Sequence, residues 1–409
     1  MIVKQYIKDF EKMGLGMFVH FGIYSAFGKG EWALSVPECD AEEYYSYKEK
    51  FCPQTDWATN LAKTAKAAGC RYITLTTRHH DGFSLYDTKG LNEFDTVHTC
   101  GRDLVAEFAD ACRAEGLVPF FYHTLLDWHE ESYKENFKEY LKYLRASVEI
   151  LCTNYGEIGG LWFDGMWDKK DEDWEEDALY GMIRSHQPNA MIINNTGLQE
   201  LGKLGHIELD SVTFERGKPE PINLEGSPKY VASEMCEITG SHWGYAKEDL
   251  NFKGTTQLIE ETADCRRYGA NMLLNVGPMG DGSLRLIDRG ILEVLGEWMA
   301  YNEEAMRAPR PTDIVVQDKP RDFVLRDGNN YYLFCYDLPM TADINVELTG
   351  EGKLYVDRFA FADKVKKITW LDNGDEVKFE QSEDELTVHT VPFVYGRHLV
   401  VRVAKIECE

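Results

Sequence analysis

Short apolar runs alternate with amphipathic segments over the first 300 or so residues of this chain. Residues 15–20, 71–77, 117–122, 159–164, 191–193 and 271–276 are rich in apolar, β-branched and aromatic side chains, which indicates buried strands. The segments 56–68, 103–115 and 133–154 have the spacing of amphipathic helices. Strands that alternate with helices indicate parallel βα units, and about seven or eight of them predict a TIM-like (β/α) barrel.

The pattern changes near residue 309. Pro309-Arg310-Pro311 interrupts the chain, and the remainder alternates with a period of two, with turns such as Asp327-Gly328-Asn329 between the runs. The runs are at 322–325, 331–335, 344–348, 365–370 and 386–388. The sequence therefore predicts an α/β fold with a barrel domain over residues 1–308 and a small all-β sandwich domain over residues 309–409.

Polar side chains follow the predicted barrel strands at the points where these end. They are His20, His79, His123, Asp164 and Glu215, each after a different strand. An open doubly wound sheet is the rival fold, but no Gly-x-Gly-x-x-Gly follows the first strand. Because strand ends converge on one face of a barrel, we expect these five side chains to form one site.

Charge and cysteine usage narrow the classes of partner. The chain has 70 acidic and 44 basic residues, a net charge of -26, which disfavours nucleic acid and anionic membranes and favours neutral or cationic small partners. No apolar run approaches the roughly 20 residues of a membrane span, and the first residues lack an apolar export segment. The ten cysteines form no Cys-x-x-Cys pair, so we expect no zinc or disulfide framework. Without an export segment, we expect a cytoplasmic location, where the thiols stay reduced.

Two carboxylates facing each other in a pocket rich in His, Trp and Tyr indicate glycoside hydrolysis, because one can attack or orient water while the other protonates the leaving oxygen. Tryptophans 32, 128, 162, 167 and 243 could stack on sugar rings. A metal-dependent hydrolase is the alternative, with ligands in His79-His80-Asp81 and Asp127-Trp128-His129. Adjacent histidines on an extended chain point to opposite sides, which disfavours a shared metal.

Several motifs occur together and in order. They are Gly16-Met-Phe-Val-His-Phe-Gly-Ile-Tyr-Ser25, Gly30-Glu31-Trp32, His79-His80-Asp81-Gly82-Phe83, Asp127-Trp128-His129, Leu161-Trp-Phe-Asp-Gly165 and Asn275-Val-Gly-Pro-Met-Gly-Asp-Gly282. This set resembles glycoside hydrolase family 29, the α-L-fucosidases. The resemblance implies a retaining exo-α-L-fucosidase that acts on fucosylated oligosaccharides or glycoconjugates without a cofactor or a metal.

The resemblance also implies roles for single residues. Asp164 matches the nucleophile. Residues that match those holding the sugar hydroxyls are His20, Trp32, His79, His80 and Tyr122, and the matching aromatics around the pocket are Phe18, Trp162 and Trp243. An apolar wall would reward the methyl group of a 6-deoxy sugar.

The acid/base is less well defined by its motif. Thr213-Phe214-Glu215 matches a Thr-Pro-Glu-like segment, with Phe where Pro is usual, and Glu220 and Glu234 are the alternatives. Glu215 is preferred because a strand end fixes its position relative to Asp164. A further departure is Asn194-Asn195-Thr196, where relatives often have Arg after the Asn pair.

The predicted reaction is a double displacement with the two carboxyl groups roughly 5–5.5 Å apart and the pKa of Glu215 raised by the charge of Asp164. A carbohydrate-binding protein on an inactive glycosidase scaffold is the alternative from another class. The sequence fixes neither the linkage (α1,2, α1,3/4 or α1,6) nor the aglycone. It is compatible with a homo-oligomer without indicating one.

Overall fold

Eight parallel strands close into a barrel in the first part of the chain. The computed structural model describes residues 1–195, 202–203, 205–342 and 355–409. The barrel strands are β1 (Leu15–Val19), β2 (Tyr72–Arg78), β3 (Val118–Thr124), β4 (Gly160–Asp164), β5 (Met191–Asn194), β6 (Ser211–Glu215), β7 (Ala232–Ile238) and β8 (Asn271–Val276). β1 pairs with both β2 and β8, which closes the ring.

Helices lie between most consecutive barrel strands, as the helical spacing predicts, but the described residues between Glu215 and Ala232 contain none. The helices are α1 (Gln5–Glu11), α2 (Ile23–Phe27), α3 (Ala41–Ser46), α4 (Trp57–Ala67), α5 (Thr96–Cys100), α6 (Leu104–Glu115), α7 (Ser132–Glu135), α8 (Phe137–Asn154), α9 (Glu176–His186), α10 (Thr255–Arg267) and α11 (Leu286–Asn302). Short 3-10 turns occur at Ala33–Ser35, Tyr47–Glu49 and Met166–Lys169. The long helix predicted from residue 133 to 154 is interrupted at Asn136, whose backbone is not helical and whose side chain caps α8 by accepting from the N–H of Glu139.

The barrel interior is filled by side chains, as expected of this fold. Tyr72, Phe120 and Trp162 belong to one buried cluster with Phe10 of α1. The Phe10 ring lies 5.4 Å from that of Tyr72 and 5.7 Å from that of Phe120. Because Tyr72 and Phe120 are near the first residues of their strands, α1 covers the end of the barrel where the strands begin.

The second part of the chain is built from antiparallel strands. They are β9 (Arg310–Val315), β10 (Phe323–Asp327), β11 (Asn330–Cys335), β12 (Met340–Thr341), β13 (Asp357–Ala360), β14 (Val365–Trp370), β15 (Phe379–Gln381), β16 (Glu385–Val388), β17 (Phe393–Val394) and β18 (Arg402–Cys408). A five-stranded sheet has the order β14-β18-β11-β10-β9, a three-stranded sheet the order β13-β16-β15, and β12 pairs in parallel with β17. Leu333, Ile368, Phe359 and Leu386 from the two larger sheets share one apolar core. The predicted fold class, a barrel followed by a β-sandwich, is confirmed.

The described chain divides into two compact units. Residues 1–253 and 270–293 form one, and residues 254–269 and 294–409 form the other. The predicted division of the chain into domains after residue 308 stays a prediction. The strand predicted at residues 344–348 lies outside the described residues. Within the described part, no helix has both the length and the apolar character needed to cross a bilayer.

The expectation of reduced thiols throughout is wrong for one pair. Cys52 and Cys100 form a disulfide between positions that are 48 residues apart in the chain. The structure joins the segment before α4 to the end of α5, a contact that no local spacing of cysteines reveals. The other eight cysteines are not joined in disulfides, and six of them are buried.

Candidate active site

A cavity of about 350 Å³ opens where the barrel strands end. This volume is within the range of roughly 300–1,000 Å³ typical of small-molecule sites. Nine residues singled out from the sequence line it, namely Phe18, His20, Trp32, His79, Tyr122, Trp162, Asp164, Glu215 and Trp243. His80, the tenth, is buried behind this lining, with its Nε2 3.5 Å from Oδ2 of Asp164. The barrel therefore brings together residues that are up to 225 positions apart in the chain.

Asp164 is the last residue of β4, and the chain turns away at Gly165 with a φ of 99°. In this left-handed region glycine is favoured, so the glycine helps to leave the carboxylate at the strand end. Three donors face the carboxylate: the Tyr122 hydroxyl at 3.2 Å, the Trp167 indole N–H at 3.4 Å and the Asn195 amide at 3.4 Å. Burial raises the pKa of Asp164, and these hydrogen bonds act in the opposite direction by stabilising the anion.

Glu215 is the last residue of β6 and is half-buried at the cavity wall. Its Oε2 accepts a hydrogen bond of 2.8 Å from the amide of Asn195. Burial, and then the negative charge of Asp164, raise the pKa of Glu215 to about 7. Hydrogen bonding from Asn195 and the charge of Arg216 lower this pKa by a smaller amount. Glu215 can therefore hold a proton near neutral pH while remaining able to release it.

Asn195 connects the two carboxylates. Its Nδ2 lies 3.4 Å from Oδ1 of Asp164 and 2.8 Å from Oε2 of Glu215, so those two oxygens are at most about 6.2 Å apart. Carboxyl pairs that work with retention are roughly 5–5.5 Å apart, and those that work with inversion are roughly 6.5–9.5 Å apart. The limit applies to this one pair of oxygens and is compatible with the retaining spacing.

Three buried histidines in and behind the cavity wall, His20, His79 and His80, are neutral. Burial lowers the pKa of His20 and of His80 to about 3 and lowers that of His79 well below its usual value. Nδ1 of His20 lies 2.6 Å from Oδ1 of Asn275, an atom that can only accept, so Nδ1 carries the proton and Nε2 is left as an acceptor. Nδ1 of His79 is buried and has no hydrogen-bond partner among the described residues. Such groups suit neutral hydroxyls, because they add no charge.

Aromatic rings form much of the wall. The Phe18 ring lies 5.1 Å from that of Trp162 and 5.9 Å from that of Trp243. At the mouth, Trp32 is 39% exposed and stacks on Trp167 at 5.8 Å. The site therefore combines apolar ring faces with hydroxyl-binding groups, as sugar sites do.

The alternative acids are placed differently. Glu234 lies inside the barrel, where it accepts hydrogen bonds from the Tyr72 hydroxyl at 2.5 Å and the Trp162 indole at 2.9 Å, and burial raises its pKa to about 7. Glu220 is exposed. Neither lines the cavity, so the geometry favours Glu215 as the second carboxyl group of the site.

His123 does not join the site, contrary to the expectation that five strand-end residues converge. Its Nε2 lies 2.9 Å from the Ser147 hydroxyl of α8, and its Nδ1 lies 2.6 Å from the backbone oxygen of Thr124. Side chains alternate along a strand, and Tyr122 points into the barrel, so the next residue points outward to the helices.

The carboxylates proposed as alternative metal ligands also have structural partners. Asp81 accepts from the Tyr44 hydroxyl at 2.7 Å, and Asp127 accepts from the backbone N–H groups of residues 129 and 130, both at 2.9 Å.

Seven further residues line the cavity, and of these only Trp167 has a role predicted from the sequence, as a ring that could stack on a sugar. They are Glu31, Trp167, Asn195, Arg216, Cys236, Ser241 and His242. Adjacency to identified positions was a usable signal for Glu31, which precedes Trp32 in its motif, and for Asn195 in the Asn pair. The same signal applies to His242, which precedes Trp243, whereas no local pattern marks Ser241. Thr196, at the position where relatives often have Arg, lies outside the described residues.

Comparisons with known proteins agree with this geometry. The model of the family described as Alpha-L-fucosidase matches residues 3–304. The Alpha-L-fucosidase of Dictyostelium discoideum is 26% identical over 370 residues, which cover 81% of this chain and 78% of that protein. The Tissue alpha-L-fucosidase of Bos taurus is 27% identical over 329 residues, covering 74% and 69%.

Solved structures give the same result for the whole fold. Alpha-L-fucosidase isoenzyme 1 from Paenibacillus thiaminolyticus superposes with a TM-score of 0.82 at 29% identity, over 99% of both chains. An alpha-L-fucosidase GH29 from Bacteroides thetaiotaomicron, trapped as a covalent intermediate with 2-fluoro-fucosyl fluoride, superposes with a TM-score of 0.82 at 23% identity, over 99% of this chain and 96% of that one. The family match, the barrel and the order of the motifs lead to one conclusion: this chain belongs to the alpha-L-fucosidase family, glycoside hydrolase family 29.

Proposed function

We propose that this protein is a retaining exo-α-L-fucosidase that removes terminal α-L-fucose by double displacement. The observation that carries the proposal is the pair Asp164 and Glu215, which line one cavity and both contact the side-chain amide of Asn195. Family membership supports the substrate class, and the covalent intermediate trapped in the Bacteroides relative supports a retaining route.

In the first step, an Asp164 oxygen attacks the anomeric carbon as the bond from that carbon to the leaving oxygen breaks. Glu215 is protonated at this stage, because burial and the nearby Asp164 charge raise its pKa, and it gives its proton to the leaving oxygen. The donors Tyr122, Trp167 and Asn195 hold the Asp164 anion in place for attack.

In the second step, the bond to Asp164 neutralises that carboxylate, and the pKa of Glu215 is no longer raised by its charge. Glu215 then accepts a proton from water, and the water oxygen attacks the anomeric carbon and displaces Asp164. The two displacements restore the original configuration, and the enzyme returns with Glu215 protonated.

Sugar recognition rests on neutral groups and rings. His20, His79, His80, Trp32 and Tyr122 would hold the fucose hydroxyls, as their positions in the family motifs imply. Phe18 and Trp243 would contact the methyl group, since an apolar wall there penalises a sugar with a hydroxyl that has no partner.

Partners and location complete the proposal. A fucosylated oligosaccharide is the substrate, while the net charge of -26 disfavours nucleic acid and anionic membranes as partners. We also keep the cytoplasmic location as a proposal, although the Cys52–Cys100 disulfide favours an oxidising compartment. A homo-oligomer is compatible with the sequence.

The test is release of 4-nitrophenol from a panel of nitrophenyl glycosides by the wild type, Asp164→Asn and Asp171→Asn. Asp171 is an exposed aspartate seven residues farther along, so it controls for the substitution itself. We expect turnover of the α-L-fucoside, a loss of at least about 10³-fold in Asp164→Asn and no change in Asp171→Asn.

Two results would contradict the proposal. A folded protein that binds L-fucose without cleaving any glycoside would be a carbohydrate-binding protein on an inactive scaffold. Fucosidase activity that survives Asp164→Asn would mean that the nucleophile lies elsewhere.

A further inference from the structure

We propose that Arg216 binds an anionic group on the sugar that carries the fucose, so that the preferred substrates are fucosides of sulfated or carboxylated sugars. The inference rests on the proposed function, because it places the leaving group beside the acid/base. It extends that function from the fucose itself to the part of the substrate that is released.

Arg216 is positioned on the leaving-group side of the cavity. It directly follows Glu215, which ends β6, and both residues line the cavity. A general acid must reach the leaving oxygen, so the sugar attached to that oxygen lies beside Glu215. The residue next to the acid at the cavity wall is therefore within reach of that sugar's substituents.

The charge of Arg216 is available to a ligand. Among the described residues that line the cavity, Arg216 alone has a permanent positive charge. Its side chain is exposed, and no ion pair or side-chain hydrogen bond holds it within the described part of the chain. A guanidinium group offers planar, paired donors that match a carboxylate or a sulfate and is less suited to neutral hydroxyls.

The backbone at this position is also unusual. Arg216 has a φ of 49°, in the left-handed region that Gly and Asn tolerate better than Arg. Its N–H bonds to the backbone oxygen of Cys236 at 3.0 Å, which fixes this conformation. Strain that persists beside an active site is a reason to look for a functional role of the side chain.

The overall charge of the protein does not oppose this role at short range. The acidic surface repels anions at long range, but at physiological ionic strength the Debye length is about 8 Å, so distant surface charges are largely screened. A guanidinium in direct contact with a sulfate or carboxylate keeps its charge-assisted hydrogen bonds. We therefore expect the contact at Arg216 to outweigh the general repulsion.

A simpler role for Arg216 would be to act only on Glu215, whose pKa its charge lowers. The two roles differ in their consequences. A cation that acts only through Glu215 would affect all fucosides alike and would move the pH profile. A cation that binds the leaving group would change the ratio of activities between anionic and neutral substrates.

The experiment compares kcat/KM for three substrates at 0.15 M ionic strength: fucosyl-α1,3-N-acetylglucosamine, its 6-O-sulfate and a fucosyl glucuronide. The variants are Arg216→Gln, Arg216→Asn and Arg216→Lys. Asn tolerates the left-handed backbone, so this variant separates the loss of charge from a folding defect. Lys218→Gln is the matched control, because Lys218 is an exposed cation of the same loop that does not line the cavity.

We expect the wild type to favour at least one anionic substrate over the neutral one by tenfold or more. The ratio should fall below threefold in Arg216→Gln and Arg216→Asn, stay partly intact in Arg216→Lys and be unchanged in Lys218→Gln. The anionic substrate that the wild type prefers, the sulfate or the glucuronide, shows which anionic group Arg216 recognises.

The inference is overturned if the wild type shows no anionic preference, or if the preference survives in both neutral variants. If the neutral fucoside is cleaved and the ratio of kcat/KM between anionic and neutral substrates is the same in the wild type and the Arg216 variants, only this inference fails and the proposed function stands. If none of the three is cleaved, the same ratios measured as Kd by calorimetric titration decide on Arg216, and turnover of nitrophenyl α-L-fucoside decides separately on the proposed function.

Discussion

The side-chain amide of Asn195 donates a hydrogen bond of 2.8 Å to Oε2 of Glu215. The same nitrogen lies 3.4 Å from Asp164, so one neutral group contacts two carboxyl groups that must be in opposite protonation states at the start of the reaction. A hydrogen bond to a carboxylate favours its charged form. Asn195 therefore lowers both pKa values, and it opposes burial, which raises them.

Replacing Asn195 with Ala should move both limbs of the pH profile upward. Activity needs Asp164 ionised and Glu215 protonated, so the acid limb follows the pKa of Asp164 and the alkaline limb follows that of Glu215, about 7 in the wild type. Without the amide, both pKa values rise. The measurement is kcat/KM for an aryl α-L-fucoside against pH, and limbs that stay in place would contradict the assignment of Asn195.

Tyr122→Phe should separate the two limbs. The Tyr122 hydroxyl donates to Asp164 at 3.2 Å and makes no hydrogen bond to Glu215 within the described structure. Its removal should raise the pKa of Asp164 and move the acid limb upward, with the alkaline limb unchanged. The same pH profile tests this, and an equal shift of both limbs would mean that Tyr122 acts on the whole site.

Glu215→Gln and Glu234→Gln should distinguish the acid/base from a buried structural carboxyl. A sugar leaving group must be protonated as it departs, whereas nitrophenolate can depart without a proton. Glu215→Gln should therefore lower kcat/KM for a fucosyl disaccharide by about 10²–10⁴-fold and slow the first step on nitrophenyl fucoside much less. Glu234→Gln keeps an acceptor for the Trp162 indole and should change both activities less than threefold.

The reverse result, with the large and substrate-dependent loss in Glu234→Gln, would move the acid/base to the barrel interior. Pre-steady-state release of nitrophenol is the useful control, because it reports the first step alone. Circular dichroism of each variant checks that the barrel is intact.

Removing the Cys52–Cys100 disulfide should destabilise the protein while leaving its chemistry unchanged. A bridge across 48 residues restricts the unfolded chain and contributes about 4 kcal/mol to the free energy of unfolding by the chain-entropy estimate. The double variant Cys52→Ser/Cys100→Ser should have a lower Tm than the oxidised wild type, and reducing agent should lower the Tm of the wild type only.

Thiol labelling of protein taken directly from its cells would test the proposed location at the same time. In a reducing cytoplasm these two cysteines should be labelled, and in an oxidising compartment they should be protected. Equal Tm values with and without reductant would contradict a stabilising bridge.

The sequence predicted those site residues that a strand carries to its end. Asp164 and Glu215 were identified in this way because an apolar run followed by a carboxylate is a local pattern. The same rule was wrong for His123, where the alternation along β3 turns the side chain outward to Ser147. A strand-end residue can be assigned to the barrel interior only when the side of the strand on which its side chain lies is known.

Local sequence patterns do not predict contacts between distant parts of the chain. The bridge from Asn195 to the two carboxylates depends on β4, β5 and β6 being neighbours in register. Cys52 and Cys100 meet only after the loops around α4 and α5 are in place. The break between α7 and α8 at Asn136 was missed because the apolar spacing continues across it.

The cluster of Tyr72, Phe120 and Trp162, with Phe10 of α1 beneath it, gives the cavity a closed floor. Glu234 ties the Trp162 indole to β7, so this floor is held from two sides of the barrel. A sugar that enters from the strand ends meets this floor and goes no deeper. A fucose at the end of a branch has a single link, which can point back toward the mouth, so we expect this floor to favour the last sugar of a branch.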